Sequence, residues 1–376
     1  MPYYLEHAFN PDFDHTRLAP RENQSGRVNH FDLGYVQSVN RGQELARLRR
    51  VDEDEAAGLD QRFVLPDRTI PAGPNTEFDP SDADRLLAAA SGYVFYEGGR
   101  ITVKSVLNVR RDVDYHTGNI TFAGDMVLHG GVRSGFRLRA RNILSKSTVE
   151  GARLRARGSI VVETGVKGAE GGYLHAAKSM RLGFCENARL KAGENILVQG
   201  AAMHNEISVR GKLVVRGRLV GGVVRGGSFV YVGEQLGGGL STSTQIVLGY
   251  DPFLLHEEEV LGGRVEELEE EMERWEALRR RGGALAEELE GRRLVRAGAL
   301  EKLKARRARI WERIQAPGSL ERCVVVVPGE VRPGAEISIG QAFYGVGDFM
   351  ENVRFTYEDG RISVSSPALL GEEAGP

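Results

Sequence analysis

The sequence predicts a mainly β protein: a parallel β-helix with an inserted antiparallel α-helical coiled-coil hairpin and a small β-rich N-terminal cap. Three observations predict it. First, a phrase recurs along the middle of the chain: Leu138-Arg139-Ala140, Leu154-Arg155-Ala156, Leu174-His175-Ala176, Leu190-Lys191-Ala192 and Ile207-Ser208-Val209. Its leading residues lie 16, 20, 16 and 17 positions apart, and a period of that size marks stacked supersecondary units. Second, apolar and polar residues alternate inside each unit, as in Leu154, Ala156, Ile160 and Val162. Period two means strand with one buried face. Third, the period changes to three-and-four between His256 and Ile314, which is helical.

The elements follow in order. Residues 1–33 are polar and interrupted by Pro2, Pro11 and Pro20, and read as an irregular arm. Residues 34–110 read as a β-rich module. Within it Ser81 to Ala90 reads as a short helix, with Ser81 as its cap and Asp82 and Asp84 in its first turn. Gly98-Gly99, flanked by Tyr93–Tyr96 and Ile101–Val103, reads as a hairpin turn. The module is the natural cover for one open end of a solenoid. Residues 111–253 form the β-helix. Links such as Arg157-Gly158-Ser159 are expected to turn its corners through positive φ at glycine.

Residues 254–317 form the hairpin. Val265, Leu268, Met272 and Trp275 make one seam, and Leu300, Leu303, Ile310 and Ile314 the other, with Arg307 where an apolar residue is due. The first arm is acidic (Glu257 to Glu259, Glu266 to Glu273) and the second basic (Lys302 to Arg309), so their flanks are complementary. Residues 318–366 return to β character and complete the β-helix, with a hairpin turn at Glu358-Asp359-Gly360. Residues 367–376 read as a disordered tail.

Composition bounds the function. The chain has 376 residues, 50 Lys and Arg against 52 Asp and Glu, and a formal net charge of −2. That balance disfavours a general nucleic-acid binder. The two cysteines, Cys185 and Cys323, form no paired motif, which suits a reducing, cytoplasmic compartment. No apolar run is long enough to span a bilayer.

The motif Asp112-Val113-Asp114-Tyr115-His116-Thr117-Gly118-Asn119-Ile120-Thr121-Phe122-Ala123-Gly124-Asp125 resembles the β-helix entry of the bacterial flagellar assembly protein A family. Gly42-Gln43-Glu44-Leu45-Ala46, the central repeats, Gly221-Gly222, the helical hairpin and Pro333-Gly334-Ala335-Glu336-Ile337-Ser338-Ile339-Gly340 are similar too, in the same order. The resemblance covers about residues 34–365, with a shorter segment before residue 34 than in many members. It implies a right-handed β-helix and a cytoplasmic, non-enzymatic role in flagellar assembly or placement, and it carries over no catalytic residue.

Asp112, Asp114 and His116 alternate and so share a strand face, which is a ligand pattern, but no second cluster supports a metal. No cofactor is expected: Gly165, Gly168, Gly171 and Gly172 lack the Lys-Ser/Thr that follows a phosphate loop. His129, His175 and His204 lack the strict six-residue repeat of hexapeptide acyltransferases. Glu150, Glu163, Glu170, Glu186 and Glu206 are scattered, unlike the paired carboxylates of a β-helical carbohydrate enzyme. One feature remains. Arg137, Arg139, Arg141, Arg153, Arg155, Arg157, Tyr173, His175, Arg189 and Lys191 fall on outward positions of adjacent coils and stack into a basic face. Such a face is solvated, or neutralised by nearby acids such as those of the first helix, or is a docking surface for an acidic partner: a protein, an anionic lipid or a nucleic acid. The expected function is a scaffold binding protein partners through this face and the hairpin. A homo-oligomer through the hairpin, with Met272 and Trp275 in the seam, a bactofilin-like self-stacking polymer and a carbohydrate-active enzyme are the alternatives.

Overall fold

The computed structural model describes residues 2–15, 17–18, 21–22, 28–29, 31–169, 171–239, 241–280, 285–314 and 319–368. The chain winds a parallel β-solenoid of about eight turns, with an antiparallel β N-terminal part and a small helical region. It divides into two compact units, residues 1–189 and 190–376.

The first unit begins with an antiparallel sheet. Tyr3–His7 lies between Glu44–Arg50 and Val64–Leu65, so the expected irregular arm contributes a central strand. Its alternation spans only five residues, too few to register as a period. Asp82–Ala88 is also a strand, not the helix that its capping pattern suggested. Leu86 and Ala88 point into the module core on alternate positions. Asp79 accepts hydrogen bonds from Ser81 N–H and Oγ, so the acid and serine form the turn that returns Asp82–Ala88 along Thr76–Asp79. Gly98 and Gly99 both have positive φ, and they join Gly92–Glu97 to Arg100–Lys104 in the hairpin read from sequence. The module covers the first coil. Ser38 Oγ accepts from Ala123 N–H at 3.0 Å, and the Phe31 ring packs on Phe136 and Tyr115.

The coils of this unit have three strand-bearing sides. On one, Ile120, Leu138, Leu154 and Leu174 lie directly over one another. On the second the column is Met126, Ile143, Ile160 and Met180. On the third it is Val132, Val149, Val166 and Cys185. Each of these side chains is at most 2 % exposed. The 20-residue interval between Leu154 and Leu174 keeps this register because its extra residues leave the coil after Lys167. Gly172 N–H closes that excursion on Gly168 O at 2.7 Å. Gly158 turns a corner with an ordinary negative φ. Glycine is required there by close approach, since a Cβ would lie 2.1 Å from Asn142 Oδ1.

The second unit repeats the plan. Its columns are Ile196, Leu213, Val230 and Val325; Ala202, Leu219, Leu236 and Val331; and Ile207, Val224, Ile246 and Ile337. Val230 and Val325 are direct partners although 95 residues separate them. The helical hairpin is therefore an insertion between adjacent coils. Antiparallel strands then finish the unit. Ala342–Gly345 pairs with Ala335–Ile339, Met350–Glu358 with Val324–Val331, and Arg361–Ser365 follows through a turn at Asp359 and Gly360, both at positive φ. Ala368 is buried and its N–H donates to Asn352 Oδ1; residues 369–376 of the expected disordered tail lie outside the described residues.

The hairpin comprises Pro252–Arg280 and Leu285–Ile314. At 1.5 Å per residue each arm is about 45 Å long. Val265, Leu268 and Leu300 form one seam cluster, with Met272 packed against it, and Leu254, Leu261, Ile310 and Ile314 form another. Arg307 interrupts the second seam because it crosses to Glu258 at 2.8 Å over Gly262, whose missing side chain leaves room for the guanidinium. Glu257 with Arg306, Glu269 with Lys304 and Glu271 with Arg296 fix the antiparallel register.

Candidate docking face on the solenoid

Each outward arginine owes its position to the buried leucine beside it. In Arg137–Ala140 and Arg153–Ala156 the burial pattern alternates strictly, with both arginines of each strand exposed. Because the leucines stack, so do the arginines: Arg137 lies opposite Arg153, and Arg139 opposite Arg155. Tyr173 and His175 continue the two rows on the next coil. The Arg155 guanidinium sits 5.6 Å over the Tyr173 ring, which favours a cation. Burial pushes the Tyr173 phenol up, and Arg155 partly opposes that.

The nominated residues are not equivalent. Arg141 forms a forked pair with Asp125, with N···O distances of 2.8 and 2.6 Å. That contact holds the Asp125 carboxyl below its usual range. Arg157 donates to Ala123 O at 2.9 Å. Nearby Arg133 pairs with Asp112 and Glu150. Among the described residues, Arg137, Arg139, Arg153 and Arg155 have no carboxylate partner. Arg189 ends the first unit. Lys191 belongs to the second, where its ammonium lies 4.1 Å from the Phe253 ring centre. Burial, and then Arg210, lowers its pKa.

In the second unit the hairpin is seated by a cluster that sequence reading missed. Arg225, buried on Arg218–Gly226, bridges Glu206 at 3.4 Å and Glu259 on the first helix. His256 Nδ1 lies 3.2 Å from Glu206 Oε1. Phe253 is held between Lys191 and Arg210, and Arg210 pairs with Asp251 at the helix start. Glu206, His256 and Glu259 bring ligand atoms within 4.8 Å of one another. Arg225 bridges both carboxylates, and these contacts form an ion-pair network. His256 and Glu259 are three apart on one helix, a usable signal, but Glu206 and Arg225 join them only through coil register. Asp112, Asp114 and His116, the ligand pattern read from sequence, do not share one cluster: Asp112 pairs with Arg133, while Asp114 lies 3.4 Å from His116.

Stacked coils that offer rows of side chains on their outer surface define a parallel β-solenoid protein. The model of the Flagellar Assembly Protein A beta solenoid domain matches residues 105–362, and the chain belongs to that family. No curated protein and no solved structure matches it significantly. Among the described residues no helix is long and apolar enough to cross a membrane.

Proposed function

We propose that the chain is a non-catalytic, cytoplasmic scaffold of flagellar assembly that holds partner proteins on the outward face of its coils. The observation that carries this is the set of four stacked arginines left without carboxylates among the described residues, beside Arg133 and Arg141, which are paired with acids. Like charges directly opposite each other destabilise a sheet, so an arrangement that serves only the fold would neutralise them. Family membership supports the flagellar context. The test is complementation in a flagellated bacterium that encodes this chain. Deletion should reduce flagellation, wild type should restore it, and a variant with Arg139 and Arg155 changed to Glu should not. Full rescue by that variant removes the docking role. The self-stacking alternative has less support, because the N-terminal module covers the first coil of its unit and antiparallel strands finish the second. Sedimentation that stays independent of protein concentration would exclude it.

A further inference from the structure

The six arginines on the coils of Arg137–Ala140 and Arg153–Ala156 separate into an engaged set and an open one. Arg141 is spent on Asp125 and Arg157 on a main-chain carbonyl. Arg137, Arg139, Arg153 and Arg155 are exposed and form a two-by-two array. Partners across the ladder lie about 4.8 Å apart, and residues two apart along a strand about 6.6 Å. The array is bounded. Before it in the ladder stands Thr121, opposite Arg139, with Asn119 two residues earlier. After it stand Tyr173 and His175. Asp125 lies at one flank, and Asp112 and Glu150 surround Arg133 near the other.

We infer that this quartet is the docking site for a compact cluster of three or four carboxylates on a partner protein. The inference rests on the scaffold function proposed above and names what the scaffold holds. Guanidinium is the preferred cation for carboxylate because its fork donates two parallel hydrogen bonds. The bounds of the array argue for protein over nucleic acid. A nucleic-acid site typically neutralises about six to ten phosphates along a continuous track, whereas here the four cations are bounded by Asn119, Thr121, Tyr173 and His175 and by carboxylates paired with Arg133 and Arg141, which do not continue a positive track. An acidic segment with Asp or Glu at alternating positions of a strand, or at successive turns of a helix, fits within these limits.

The test uses the full chain and two labelled probes, a hexaglutamate peptide and a fifteen-nucleotide single-stranded oligothymidylate, in fluorescence anisotropy at low ionic strength. Hexaglutamate should bind, and binding should weaken as salt rises. Changing Arg139 and Arg155 to Gln should weaken it at least about tenfold, since each lost charge-assisted contact accounts for a factor of this order. Changing Arg141 and Arg157 to Gln should alter it less than about twofold. Gln keeps most of each exposed stem, and circular dichroism checks that both variants fold. The Arg139→Lys/Arg155→Lys variant, which keeps charge but loses the fork, should fall between them. Equal losses from the two Gln variants would overturn the assignment. So would oligothymidylate binding as tightly as hexaglutamate, or no binding of hexaglutamate. Failure here with intact dependence of flagellation on the face would leave the scaffold function standing and remove only the carboxylate assignment.

Discussion

Leu154→Ala measures the stacking on which the rows of outward arginines depend. Leu154 lies between Leu138 and Leu174, and all three are fully buried. The change removes about three methylene equivalents, or roughly 2.4 kcal/mol of transfer free energy at about 0.8 each. A cavity term is added because ladder hydrogen bonds hold the backbone on both sides. Arg153 N–H donates to Phe136 O at 2.9 Å below and Tyr173 N–H to Ala152 O at 3.0 Å above. The coils cannot close over the hole without breaking register, so the total should reach about 3–5 kcal/mol. Urea denaturation followed by circular dichroism should show the midpoint fall at unchanged slope. Hydrogen exchange should place the loss in the coils of residues 137–182. Leu154→Met should cost less than about 1.5 kcal/mol, and exposed Arg155→Ala about 0.5 or less. A loss below about 1 kcal/mol for Leu154→Ala, or one equal to that of Arg155→Ala, would refute the stacked core.

Other outcomes follow from the same geometry. Burial, followed by the Arg62 charge, pushes the His7 imidazole down to about 4, and its Nε2 has no hydrogen-bond partner. The unfolded chain therefore takes up a proton near pH 6.5 that the folded one refuses until about pH 4. The His7 contribution is complete above pH 6.5 and is lost as pH falls toward 4. Partial exposure of the ring reduces the effect to about 1–2 kcal/mol, and His7→Phe should flatten that part of the stability–pH curve. Arg225→Met should loosen the hairpin seat by about 1–3 kcal/mol. This is below the cost for a fully buried pair because Glu259 is 59 % exposed and can rehydrate; faster hydrogen exchange over residues 252–262 is the readout. Burial pushes the Cys185 thiol up to about 12 and the Cys323 thiol up to about 11. Alkylation at pH 8 should therefore be negligible until urea exposes them. Gly183→Ala should destabilise strongly, because its Cβ would lie 1.8 Å from Thr164 O.

The solenoid was legible because one apolar residue per circuit must stack on its counterpart, and that requirement prints itself on the chain as a period. The hairpin was legible for a similar reason, down to the odd Arg307. The N-terminal module was not, because Tyr3–His7 and Asp82–Ala88 are strands only through partners distant in the chain. Ser81 and the acids near it fit a helix start and a strand turn equally well. The positions of the outward arginines were readable, since each sits beside a buried leucine. Their division into open and engaged was partly readable too: Asp125 lies 16 residues before Arg141, one coil away.

The sequence by itself determined which residues face in and which face out, because hydrophobic burial acts through local alternation. The tertiary structure decided most of which charges remain open. That depends on distances between coils and on a seat where Glu206, Arg225, His256 and Glu259 converge. Charge pairing acts through space over a few ångströms, and the winding of the chain sets those distances.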